Sequence, residues 1–130
     1  MSLGAIFVWE TLGTAFLILL GAGVVANVVL KDTLGTAGGW LLINFGWGFA
    51  VFAGASVAAP SGAHINPAVT FSLAIADKLD WSKVPVYWAG QMLGAFLGAV
   101  IAWLAYKAQF DAHDGGHLPP RVAASHHRWR

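Results

Sequence analysis

The residues able to do chemistry in this chain are few and widely spaced. Glu10 is the one carboxylate inside an apolar run. His64 and Asn66 sit together in Ser61-Gly62-Ala63-His64-Ile65-Asn66-Pro67-Ala68-Val69-Thr70. Four of the five histidines, His113, His117, His126 and His127, crowd the C-terminal end. Nucleophilic catalysis needs an activated Ser, Cys, Thr or Lys beside a base. The chain has no cysteine, and neither Glu10 nor His64 has such a neighbour, so the sequence argues against an enzyme. The terminal histidines invite a metal reading, but their spacing matches no closed tetrahedral pattern and no thiolate assists them. No metal and no cofactor is expected. A net charge of +1 offers no basic surface for nucleic acid.

What remains is hydrogen-bond chemistry at a helix start. Asn66 suits an N-cap, because its side-chain oxygen can accept from the unpaired N–H groups of the first turn. Pro67 suits the first helical position, where its missing N–H costs nothing. The spacing predicts a helix over about 67–77. That is half the length a bilayer demands, at ~1.5 Å per residue. Its N-terminal end carries about half a positive charge. Asn66 can cap the helix and still offer amide N–H groups to a passing oxygen; the dipole repels cations. Gly62, Ala63, His64 and Ile65, just ahead, are predicted to be unwound, with carbonyls that lack helical partners. Facing a pore, those carbonyls would form a ladder of acceptors for a file of hydroxyl groups. A carboxylate in an apolar span is expensive unless paired. Glu10 is therefore expected to accept hydrogen bonds from loop N–H groups or from His64, as a scaffold; a proton relay is the rival role. His64 is expected to anchor the loop rather than to bind a ligand.

The elements that must position these residues are written in the hydropathy. The 130 residues are 58% hydrophobic and 10% charged, with a mean hydropathy of +0.67, too apolar for an ordinary soluble domain. Three spans are predicted, at about 4–30, 40–59 and 86–106. The first lacks the basic start of a secretory signal and runs longer than its apolar core would, so it reads as a retained helix. Pro60 to Ala63 breaks the second span, and Asp77, Lys78, Asp80 and Lys83 mark an aqueous surface. Gly90, Gly94 and Gly98 fall on one face of the third span and allow close helix approach; Gln91 is its polar interruption. Trp81 and Trp88 are expected near the membrane interface. The expected fold is all-α: a polytopic membrane protein with three transmembrane helices and one re-entrant half-helix over residues 1–110. A polar, disordered tail is expected over 111–130.

The ten residues Ser61 to Thr70 resemble the first Asn-Pro-Ala loop of the aquaporin and glycerol-facilitator family, the major intrinsic proteins. Trp9-Glu10-Thr11-Leu12-Gly13-Thr14 is similar to the family's first-helix Glu-x-x-Gly-Thr pattern, and Gln91 to Gly98 to its third-helix Gln-x-x-Gly-Ala pattern. The resemblance covers roughly Gly4 to Tyr106. Gly46-Trp47-Gly48 resembles the second-helix segment in which glycerol facilitators place a channel-narrowing tryptophan; Phe45 is the competing candidate.

The resemblance implies a multi-pass channel of the cell membrane that passes glycerol, small polyols or water. Asn66, Trp47 and the backbone of Gly62, Ala63, His64 and Ile65 would line its pore. Asn66, Pro67 and Ala68 would form the half-helix motif, and Glu10, Gln91, Gly90, Gly94 and Gly98 the structural support. Beyond lipid and permeant, the expected partner is another copy of the chain or a second half-repeat. The family pairs two inverted repeats and this sequence carries one. A truncated or frame-shifted product is accordingly expected, conducting only with a second repeat; the alternative is a non-conducting fragment that associates with other channel subunits. By family topology Lys78 and Lys83 lie inside and Lys31, Lys107, Arg121, Arg128 and Arg130 outside, against the positive-inside bias.

Overall fold

The computed structural model describes residues 1–113. Five α-helices follow in order: α1 (Leu3–Val29), α2 (Gly39–Val57), α3 (Pro67–Ile75), α4 (Val84–Ala105) and α5 (Lys107–Ala112). Short 3-10 turns at Ala59–Ser61 and Trp81–Lys83 lead into the loop before α3 and into α4. Ser2 caps α1 by accepting from the Ala5 N–H. Asp80 caps the second 3-10 turn by accepting from the Ser82 N–H at 2.8 Å. That bond holds the exposed Asp80 carboxyl below the usual aspartate range.

Helix α1 is the spine. It packs against both α2 and α4, while α3 rests on α4. Glycines set the approach. A Cβ at Gly90 would lie 2.8 Å from the Phe7 carbonyl oxygen, and one at Gly98 would lie 2.5 Å from that of Ala15; one at Gly94 would collide with the Thr11 carbonyl. The α1–α4 contact is therefore backbone against backbone along the whole stripe. On the other side of α1, Gly13 and Gly54 face each other: an added Cβ on either would lie 2.7 Å from the other's carbonyl oxygen.

The outward faces are apolar. Val8, Leu12, Phe16 and Leu20 on α1, and Trp40, Phe45, Phe49 and Phe52 on α2, are exposed. Such surfaces suit lipid, where only internally hydrogen-bonded backbone is stable. Among the described residues, the segment Trp81–Ala105, with α1 and α2, makes three elements long and apolar enough to cross a membrane.

The helix ends differ from the sequence expectation in identifiable ways. α3 stops at Ile75, not at 77, because Asp77 turns left-handed at φ 55°. α4 starts at Val84, two residues ahead of the expected 86, because Pro85 fits the first turn. The polar segment expected from 111 begins inside α5, where Lys107 and Asp111 form an i,i+4 ion pair at 2.8 Å. The remainder of that tail, with His117, His126 and His127, lies outside the described residues.

Candidate functional site

The loop between the first 3-10 turn and α3 has unusual backbone. Gly62, Ala63 and Ile65 all have positive φ, at 95°, 54° and 40°. A β-branched residue in that region is an outlier, and each such residue costs of order 1–3 kcal/mol unless its surroundings enforce the conformation. Here they do. Glu10, wholly buried on α1, receives four hydrogen bonds. Its Oε1 accepts from Ser61 Oγ at 2.6 Å and from the His64 N–H at 3.1 Å; its Oε2 accepts from the Ile65 N–H at 2.8 Å and from Gln91 Nε2 at 2.9 Å. Every donor points inward at the carboxylate, the acceptor-only arrangement of an ionised side chain.

A second ring of contacts closes around His64. Its Nδ1 lies 3.0 Å from Thr70 Oγ1, which also receives Gln91 Nε2 at 3.0 Å and sits 3.3 Å from the Asn66 carbonyl oxygen. A proton on Nδ1 satisfies all three: His64 and Gln91 donate to the hydroxyl, and the hydroxyl donates to Asn66. Tyr87 stacks on the imidazole with centroids 4.0 Å apart and planes 15° apart. Its phenol donates to the Ser61 carbonyl at 2.5 Å. Among the fully buried side-chain atoms of this cluster, Gln91 Oε1 stays without a partner.

Asn66 begins α3 in extended backbone, and its Oδ1 accepts from the Ala68 N–H at 2.8 Å. It is exposed, as are Pro67, Ala68 and Val69. Trp88 reaches α3 from behind, its indole N–H donating to the Pro67 carbonyl at 3.2 Å. Among the described residues, no donor reaches the carbonyls of Gly62, Ala63, His64 or Ile65. Four successive acceptors therefore stand beside the positive end of a capped helix.

Trp47 is half-buried with its ring on Gly21, where an added Cβ would lie 2.5 Å from the ring. Gly13 is level with Ile65, so Trp47 stands about 12 Å further along α1 at ~1.5 Å per residue. Phe45, the alternative, is on the far face of α2. With Asn44, Gly48, Phe49 and Phe52 it lines an open groove of about 440 Å³. Among the described residues, no group of three or more His, Cys, Asp or Glu is placed to hold a metal.

Glu10, His64, Ile65, Gln91 and Asn66 thus meet in one network. Gly90, Gly94 and Gly98 lie outside it and carry α4 against α1. The sequence reading gave Ser61 and Thr70 no role beyond membership of the ten-residue motif, expected Trp88 at the membrane interface, and passed over Tyr87. Tyr87 left a signal, since it precedes Gln91 by four residues and so shares its helix face. Trp88 was expected to face the interface; its indole N–H instead meets the Pro67 carbonyl, a backbone partner that residue type alone does not signal.

A family model described as "Major intrinsic protein" matches residues 2–127, beyond Tyr106, where the motif resemblance ends. The "Probable glycerol uptake facilitator protein" of Thermotoga maritima is 52% identical over 111 residues, which is 85% of this chain and 47% of that protein. The "Glycerol uptake facilitator protein" of Bacillus subtilis is 47% identical over 106 residues, 81% of this chain and 39% of that protein. The crystal structure of the aquaglyceroporin from Plasmodium falciparum superposes with a TM-score of 0.79 at 40% identity, covering 85% of this chain and 45% of that one. The chain spans less than half the length of these relatives.

Proposed function

The chain belongs to the major intrinsic protein family and is an integral membrane protein, and from that membership we propose that it supplies one wall of a cell-membrane pore passing glycerol, other small neutral solutes or water. The observation that carries this reading is the row of four unsatisfied carbonyls, Gly62 to Ile65, set against the capped and exposed start of α3. Those oxygens accept from the permeant's hydroxyl groups, and the Asn66 amide donates to its oxygens. The α3 dipole places positive potential at the same level, which opposes cations. Trp47 offers an apolar side to a carbon backbone farther along. That pairing favours a linear polyol over water, in line with the names of the bacterial relatives. The process is passive and involves no bond making, so no enzymatic step is proposed.

The wall is open on the Asn66 side, so the pore requires a second wall. A second copy of this chain, or another segment of the same architecture, would supply it. The exposure of Asn66 to Val69 also favours a second reading, a membrane protein that associates with channel subunits without conducting. Stopped-flow light scattering on liposomes carrying the purified chain separates the two. Glycerol or water permeability above that of empty liposomes is expected; permeability equal to theirs would sink the channel reading and leave the second.

A further inference from the structure

Two consecutive residues of α4 hold the two ends of the acceptor row. Tyr87 donates to the carbonyl of Ser61, the residue before Gly62, at 2.5 Å. Trp88 donates to the carbonyl of Pro67, the residue after Asn66, at 3.2 Å. Neighbouring positions on a helix point about 100° apart, which is how one turn of α4 reaches both places. Between them lie Gly62, Ala63, His64, Ile65 and Asn66, the stretch with left-handed backbone and unsatisfied carbonyls. Glu10 holds the middle of this stretch through the His64 and Ile65 N–H groups. Local bonds also hold the segment, at its start from Ser61 Oγ to Glu10 and from the Ala63 N–H to the Ala58 carbonyl, and at its end from Thr70 to the Asn66 carbonyl; Tyr87 and Trp88 are what tie both ends to α4.

We propose that Tyr87 and Trp88 act as a two-point clamp that sets the spacing of the acceptor carbonyls and of Asn66, making them positioning residues for solute discrimination. The proposal rests on the channel reading for its consequence, but not for its geometry. Tyr87 does two jobs at once, because its ring also stacks on His64; replacement by phenylalanine keeps the stack and removes only the phenol. Trp88 is 40% exposed, so phenylalanine there removes the indole donor at little packing cost. An interfacial tryptophan would turn that donor to headgroups; this one spends it on the first turn of α3, directly behind Asn66. A strained segment keeps its shape only while its ends are fixed, so releasing either end lets the row relax.

The test uses the full chain in lipid, as Tyr87→Phe, Trp88→Phe and the double variant, with Trp103→Phe on the same helix as control. Amide hydrogen exchange is read at His64, Ile65 and Ala68 and along α1. The expected result is exchange about fivefold faster or more at the loop positions, the effect of losing one hydrogen bond, with α1 and the control unchanged. The ratio of glycerol to water permeability should shift in the same variants. Loop exchange equal to the parent's would overturn the clamp. So would acceleration spread evenly over the loop and α1, which would mean lost stability alone. Faster loop exchange with an unaltered permeability ratio would remove the discrimination role. If the parent conducts neither solute, the channel reading fails on its own account, and the exchange rates still judge the clamp.

Discussion

Glu10→Gln is the sharpest probe of the site, because it changes one atom and the consequence can be worked through bond by bond. The amide has two orientations. If its nitrogen takes the Oε1 position, it faces the Ser61 hydroxyl and the His64 N–H. The hydroxyl can rotate to accept, since it already has a second acceptor in the Ala58 carbonyl at 2.8 Å; the His64 N–H cannot. If the nitrogen takes the Oε2 position, it faces Gln91 Nε2 and the Ile65 N–H. Gln91 can flip and present its unbonded Oε1; the Ile65 N–H cannot. Either way one backbone N–H is left against another donor, in a cluster where Glu10 and Thr70 are wholly buried.

A stranded buried N–H costs ~1–3 kcal/mol, and bonds to a charged acceptor exceed neutral ones by roughly 1 kcal/mol each. The sum is about 3–5 kcal/mol, a large part of the ~5–15 kcal/mol typical of a folded protein. Thermal melts of the detergent-solubilised chain should show a drop of roughly 10 °C or more, with amide exchange accelerated at His64 or Ile65 first. A variant within about 1 kcal/mol of the parent would refute the scaffold role. The proton-relay alternative makes the opposite forecast: unchanged stability, with any proton conductance abolished.

Two further outcomes follow from the same geometry. Asn66→Asp keeps an acceptor for the Ala68 N–H and complements the α3 dipole, so it should fold as the parent does, while Asn66→Ala should lose about 1 kcal/mol; reconstituted Asn66→Asp should also leak cations, and equal melts for both variants with unaltered flux would remove Asn66 from both cap and pore. Gly94→Ala drives a methyl into the Thr11 carbonyl and against Thr14 Cβ at 3.0 Å, whereas Gly48→Ala meets nothing within 4 Å; denaturation should show the first costing ~1–3 kcal/mol or more and the second costing nothing, and equal effects would contradict the close α1–α4 approach.

The fold was legible because its signals are strong and local. Long apolar runs give spans, and Asn66-Pro67 gives a helix start whatever surrounds it. The half-helix length followed from the charged residues at Asp77 and Lys78. The role of Glu10 was legible for a different reason: a carboxylate in lipid must find donors, and the nearest free donors belong to an unwound loop. What the sequence could not give was where those donors sit. The division of four bonds over two oxygens depends on the left-handed turns at Ala63 and Ile65. Neither residue type advertises a positive φ; Glu10 supports it at Ile65 through the Ile65 N–H, and the Ala58 carbonyl supports it at Ala63 through the Ala63 N–H. Strain and support are each unintelligible alone, and only the three-dimensional arrangement joins them.

The helix ends teach the complementary lesson. The sequence predicts α3 over about 67–77, up to the charged residues that mark the aqueous surface. Asp77 instead turns left-handed, which Asp tolerates better than most residues. Ending there lets the Lys78 N–H close on the Leu73 carbonyl at 2.9 Å, and it frees Asp80 to cap the turn that feeds α4. An α3 two residues longer would carry that turn about 3 Å further along its axis at ~1.5 Å per residue. α4 would then start from a different height against α1. The glycine stripe allows few registers, since Gly90, Gly94 and Gly98 must each meet a backbone carbonyl of α1. Register in turn decides whether Gln91 reaches Glu10 and whether Tyr87 and Trp88 reach Ser61 and Pro67. The length of α3, the register of α4 and the shape of the acceptor row are one constraint, and the short connection from Ala76 to Asp80 is where it is set.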